Sequence, residues 1–140
     1  MYFGIDKGTD TDALAYATLE GVIFSIYHVA SSMNMPKPKR LICGGGSAGN
    51  ALMNALRATL FDCETVSVCE NDTSALGACM IAMVGGGAYP DLRTAIRACV
   101  SYMPSVKPYE KYAELLQKRF SIYKALYGDL RLSFEKFGKI

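Results

Sequence analysis

The sequence predicts an α/β fold in which short parallel strands are flanked by helices. The apolar run Arg40–Cys43 indicates a strand that stops at three glycines, and residues 48–60 continue with apolar positions at helical spacing. Residues 64–69 then indicate a second short strand, and residues 72–84 indicate a second helix. Strands that alternate with helices in this way are joined by crossovers, which connect parallel strands.

Further helices are predicted on both sides of this unit. They cover residues 12–33, 90–99 and 108–127. Asp10 or Thr11 can cap the first of them, which keeps one apolar stripe and ends within residues 34–38. The three glycines at 85–87 are typical of a helix C-terminus, because no strand precedes them.

The most informative motif is the set of three glycines at the predicted strand-to-helix turn. Gly44, Gly45 and Gly46 follow Cys43 directly and precede Ser47. Glycine has no Cβ, so a ligand can approach the backbone closely, and a helix start offers unpaired N–H groups and a positive dipole end. The motif therefore predicts a phosphate or nucleotide loop, and a tight structural turn is the alternative.

Composition argues against several kinds of partner. The chain has 140 residues and a formal net charge of +2, with its 15 Lys and Arg scattered, so nothing points to nucleic acid. No apolar stretch approaches the ~20 residues of a membrane helix, and the acidic N-terminal region lacks a signal-peptide pattern. The five cysteines lack a C-x-x-C pair and His28 is the only histidine, so we expect core thiols in a cytoplasmic chain and no zinc site.

Three segments, in order, resemble the FGGY carbohydrate kinases, which phosphorylate sugars and polyols with ATP. Residues 4–24 are similar to the family's segment along the first helix of the nucleotide-side domain, residues 44–47 to its adenosine-binding loop, and residues 74–78 to the next helix start. The resemblance implies part of an actin-like, ribonuclease-H-like ATPase domain. The three glycines and residues 123–127 look most like xylulose kinases, although Leu52 stands where those enzymes often have a bulky aromatic residue.

The resemblance also implies a nucleotide site. It brings the glycine backbone to the ribose and α-phosphate, Asn50 to the adenosine, and the small residues Ser74 and Gly77 to the far wall. The expected binding residues are Gly44, Gly45, Gly46, Ser47, Asn50, Ser74 and Gly77. ATP is the expected cofactor, with Mg²⁺ held through the nucleotide. Glu70 and Asp72 are candidates for outer metal contacts, and a solvated strand exit explains them equally well.

By the same resemblance, residues 1–140 form a single partial domain, the second half of the C-terminal nucleotide-binding domain. The catalytic base and the sugar pocket fall outside it, so we expect this chain to be inactive alone and the full-length kinase to act on a sugar, such as the ketopentose D-xylulose. The alternative is a non-catalytic α/β binding or oligomerisation module with a vestigial glycine loop. A dinucleotide site is not favoured, because Glu64 and Glu70 do not fit the acidic position that such sites require.

A partial domain leaves a sheet edge without its neighbouring strand. We therefore expect self-association through that edge, beside Ile42 and Val66, or through the first helix near Val22, Ile26 and Val29.

Overall fold

The computed structural model describes residues 2–33 and 36–138. Its elements are α1 (Thr11–Ser32), β1 (Arg40–Cys43), α2 (Ala51–Phe61), β2 (Glu64–Ser67), α3 (Thr73–Gly85), α4 (Leu92–Cys99) and α5 (Glu110–Phe137). The predicted α/β order is confirmed. Asn34 and Met35, where the sequence predicts the end of the first helix, lie outside the described residues.

The two strands form a parallel pair, as predicted. Ile42 lies opposite Val66 in the register. The other edge of β2 is closed by residues 101–106, which run antiparallel to it through bridges at Thr65–Val106 and Val68–Tyr102. Along the part of the chain that the structure describes, no strand pairs with the outer edge of β1.

The core lies between α1, α2 and α5. Its buried members are Ile23, Phe24, Met53, Leu56, Leu60, Leu116 and Phe120. The rings of Phe24 and Phe120 meet edge to face with their centroids 5.6 Å apart, which joins the first helix to the last. Of these helices, α2 also packs against β2, and because it follows the segment after β1 directly, it helps to position that segment.

An ion pair with a buried carboxylate and a partly exposed arginine also joins α1 to α5. Glu20 is 5% exposed, and its Oε2 lies 2.9 Å from Nη2 of Arg119. Within the described residues, Oε1 of Glu20 has no hydrogen-bond partner. Burial raises the pKa of the Glu20 carboxyl, and the positive charge of Arg119 offsets this rise only in part.

Helix α1 is apolar on two faces, where the sequence indicates one stripe. Ile23 and Phe24 are buried, whereas Val22 and Ile26 are each 44% exposed and Val29 is 63% exposed. By length and composition α1 could cross a membrane, which corrects the expectation that no stretch is long enough. The core helix of a soluble protein passes the same test, so this finding assigns no location.

Three further details differ from prediction. Helix α5 continues past residue 127, through Gly128, to Phe137. An ion pair between Arg131 and Glu135, one turn apart, stabilises this exposed end. Val66 is 5% exposed and so does not contribute to the free sheet edge, where Ile42 is 62% exposed. The cysteines were expected in the core, yet Cys69 and Cys79 are exposed; all five are free thiols.

Candidate functional site

The segment between β1 and α2, residues 44–50, is called the glycine loop below. Two consecutive turns shape it: the Ala48 N–H donates to the Gly45 carbonyl at 2.9 Å, and the Asn50 N–H donates to the Ser47 carbonyl at 3.3 Å. Helix α2 begins only at Ala51. The prediction that the helix starts at residue 48, with the glycines at its N-terminus, is therefore wrong.

The structure accounts differently for glycine at each of the first three positions of the loop. Gly45 has φ +87°, in the region that favours glycine. A Cβ on Gly44 would lie 2.8 Å from Cγ2 of Thr73, so the loop approaches the first residue of α3 closely. Gly46 has no positive φ, and a Cβ there would meet nothing within 4 Å. Gly46 therefore does not depend on a backbone conformation special to glycine, and the space around the position of its Cβ is open.

A buried polar cluster lies beneath the glycine loop. Arg57 on α2 donates to Ser47 Oγ at 2.9 Å and to Asn54 Oδ1 at 2.7 Å. The Ala48 carbonyl accepts from Asn54 Nδ2 at 2.7 Å and from Ser67 Oγ at 2.6 Å. These bonds connect the loop to α2 and to the end of β2. We call Asn54, Arg57 and Ser67 the loop anchor.

Sequence reasoning missed the loop anchor. Asn54 and Arg57 stand three residues apart on a helix that is otherwise largely apolar on its inner side, and both are only 6% exposed. Polar residues at that spacing share a helix face, which was a usable signal. Nothing in the sequence could have shown that Ser67, on the next strand, meets them.

The outer face of the loop presents unpaired backbone donors. Along the described chain, the N–H groups of Gly46, Ser47 and Gly49 donate to no acceptor, and all three residues are exposed. Three such donors close in sequence can bind the oxygens of an anion or of a sugar hydroxyl. The loop therefore has the chemistry of a phosphate or ribose contact.

Asn50 has a structural task that the sequence did not reveal. Its Oδ1 accepts from the Met53 N–H at 2.9 Å and so caps α2. The side-chain oxygen is occupied, while the amide NH₂ of this exposed residue is left for a ligand. The NH₂ group is therefore the part of this side chain that has no partner along the described chain and can donate to a ligand.

The start of α3 forms a second wall. Asp72 caps this helix by accepting from the Ala75 N–H at 2.9 Å, and its own N–H donates to Glu70 Oε1 at 3.0 Å. Ser74 is exposed and Gly77 is half-buried, three residues apart on one helix face. The Gly44–Thr73 approach brings this wall to the glycine loop.

The two acidic residues here take part in local hydrogen bonds. Glu70 and Asp72 are engaged in the local bonds just described, and no group of three metal-binding side chains occurs within residues 2–33 and 36–138.

Comparisons with known proteins show that the chain is similar to carbohydrate kinases. Residues 1–86 match the sequence model of the FGGY family of carbohydrate kinases, C-terminal domain, and this range contains the whole glycine loop and the start of α3. A xylulose kinase of Lactococcus lactis is 30% identical over 131 residues, which are 88% of this chain and 26% of that protein. Other relatives are named glycerol kinase.

Solved structures are similar along almost the full chain. The ligand-bound xylulose kinase from Lactobacillus acidophilus superposes with a TM-score of 0.82 at 27% identity, covering 98% of this chain and 28% of that one. The gluconate kinase from the same organism gives 0.80 at 27% identity, with the same coverage. The chain thus spans about a quarter of the length of the proteins that it resembles.

Proposed function

The chain belongs to the FGGY family of carbohydrate kinases, whose C-terminal domain matches residues 1–86, and from this premise we propose that it supplies the ATP-binding surface of such a kinase. The observation that carries the proposal is the glycine loop, with its free N–H groups on one side and the loop anchor on the other. We assign residues 1–140 to the second half of the C-terminal nucleotide-binding domain.

In this proposal the loop grips the nucleotide through its backbone. The segment Gly44–Gly46 and Ser47 face the ribose and the α-phosphate, where free N–H groups meet oxygen acceptors. The Asn50 amide NH₂ contacts the adenosine, and Ser74 and Gly77 form the far wall. Mg²⁺ arrives with the nucleotide and neutralises its phosphates.

Phosphoryl transfer needs an acceptor hydroxyl held in line with the γ-phosphate and a group that takes its proton. We propose that both lie in parts of the kinase outside residues 1–140, because this chain matches only 26% of its xylulose kinase relative. The full reaction moves the ATP γ-phosphate to a sugar hydroxyl. Among sugars, we propose a ketopentose such as D-xylulose, since several of the similar proteins are named xylulose kinase.

A second candidate is a non-catalytic binding or oligomerisation module. It is favoured by the exposed apolar residues of α1 and by the free edge of β1, where Ile42 is 62% exposed. In either case we propose a cytoplasmic location, in which the free thiols of all five cysteines stay reduced.

Nucleotide titration tests the proposal. At an ATP concentration of 100 times its dissociation constant, the free energy of unfolding should rise by about 2.7 kcal/mol. Adenosine and inorganic triphosphate, titrated separately, show which half of ATP is bound. An unchanged melting temperature at millimolar ATP would favour the non-catalytic module. Phosphorylation of D-xylulose by the purified chain alone would refute the placement of the acceptor site elsewhere.

A further inference from the structure

Arg57 is a buried cation with only neutral partners. Its side chain belongs to a residue that is 6% exposed. Within residues 2–33 and 36–138, no carboxylate lies within ion-pair distance of its guanidinium. Burial of a charge is costly unless hydrogen bonds compensate for the lost water. The hydrogen bonds of Arg57 therefore compensate for the burial of its charge. Two of the acceptor atoms belong to Ser47 in the glycine loop.

The loop anchor fixes the direction of two successive loop carbonyls. Arg57 only donates, so it orients the Asn54 amide with Oδ1 toward itself and Nδ2 toward the Ala48 carbonyl. The hydroxyl of Ser67 donates to the same carbonyl. A further bond of 3.5 Å runs from Arg57 Nη1 to the Ser47 carbonyl. Both carbonyls therefore face α2 and the end of β2.

The direction of the Ala48 carbonyl sets the direction of the next N–H. In a planar trans peptide the carbonyl of one residue and the N–H of the next point in opposite directions. The Ala48 carbonyl faces inward, so the Gly49 N–H faces outward. Gly49 is exposed, and along the described chain this N–H has no acceptor.

We propose that Arg57 is the positioning residue of the nucleotide loop: through Asn54, and together with Ser67, it holds the 48–49 peptide so that the Gly49 N–H donates to an oxygen of the bound nucleotide. The inference rests on the proposed function and adds to it a residue that touches no ligand. Charge-assisted bonds, stronger than neutral ones, make Arg57 the main support of this arrangement.

The test compares Arg57→Met with a matched control on the same helix. Thr59→Ala also removes a buried polar group from α2. Thr59 is 4% exposed, and its Oγ1 accepts from the Tyr109 N–H at 3.0 Å, away from the loop. Both variants should lose unfolding stability. Only Arg57→Met should weaken ATP binding, by about tenfold or more, the expected effect of losing bonds to a charged group.

Amide hydrogen exchange gives a readout that needs no ligand. The N–H groups of Ala48 and Asn50 close the two loop turns. In Arg57→Met these two groups should exchange faster than in the parent chain, whereas in Thr59→Ala they should exchange at the parent rate. Arg57→Lys keeps one charged donor and should restore part of the ATP affinity. If Arg57→Met does not fold, Ser67→Ala removes a donor to the Ala48 carbonyl and provides the same comparison.

Two results would overturn the inference. One is equal ATP affinity in Arg57→Met and Thr59→Ala at matched stability, which would leave Arg57 a purely structural role. The other is unchanged exchange at Ala48 and Asn50 in Arg57→Met. If the parent chain binds no ATP, the proposed function fails, and the exchange of these two amides still decides whether Arg57 holds the loop.

Discussion

Replacing Gly46 with valine should separate nucleotide binding from folding. Gly46 is exposed, has no positive φ, and leaves open space around the position of a Cβ. The substitution should change the free energy of unfolding by no more than about 0.5 kcal/mol, as for other surface positions. The new side chain would nevertheless occupy the space in front of the free N–H groups of the loop.

The loss of binding can be given a magnitude. A nucleotide oxygen must come within about 3 Å of a loop N–H to form a hydrogen bond, and the valine methyls exclude it from that distance. At 100 times the parent dissociation constant, ATP should stabilise the parent by about 2.7 kcal/mol, a rise of about 10 °C in melting temperature for a chain of this size. In Gly46→Val this rise should disappear.

The matched control is Gly45→Ala in the same loop. Because Gly45 has φ +87°, alanine there should cost about 1–2 kcal/mol of stability without ligand. Thermal melting with and without ATP therefore distinguishes the two positions: Gly45→Ala should lower the melting temperature without ligand, whereas Gly46→Val should remove the rise that ATP causes. If Gly46→Val is stabilised by ATP as much as the parent chain, the loop is a structural turn and does not grip the nucleotide.

Three further predictions concern other parts of the chain. Asn50→Ala should lower the unfolding free energy by about 1 kcal/mol, because it removes the side chain that accepts from the Met53 N–H and caps α2. Asn50→Asp should keep the cap but lose ATP affinity. If Asn50→Asp binds ATP as tightly as the parent chain, Asn50 does not belong to the site. Burial raises the pKa of Glu20, so parent stability should fall as the pH rises from the unfolded value of 4.5 through the raised folded pKa. In urea unfolding Glu20→Gln should lack that loss, and parallel pH profiles would contradict the assignment. Ile26→Glu should shift a self-associated chain toward monomer or insoluble material, since Ile26 is 44% exposed on α1; sedimentation of the parent as a stable monomer at tens of micromolar would argue against self-association.

Local patterns were sufficient for the order of elements. An apolar run that ends in glycines, followed by helical spacing, predicted β1 with its observed bounds and the parallel pairing with β2. The start of α2 was misplaced, because Ala48 is 2% exposed although it lies in the loop. Its apolar character reflects burial beneath a turn, which a periodicity argument takes for a helix face.

Contacts between distant residues could not be predicted. The bond between Arg57 and Ser47 spans ten residues and forms only once the loop folds back over α2. The bond between Ser67 and the Ala48 carbonyl spans nineteen residues and exists only once β2 lies beside β1. The capping role of Asn50 was also hidden, since it depends on where α2 begins. The site residues named from the family resemblance are surface positions, and the residues that shape them are buried.

The sheet can be extended in one direction only. Residues 101–106 occupy the far side of β2, so an added strand can join only at β1. If that strand runs parallel to β1, its carboxyl end arrives beside Gly44, and the residues that follow it enter the same crevice as the glycine loop. The polarity of the sheet thus determines which neighbouring polypeptide could contribute additional groups to the nucleotide, and from which side they would come.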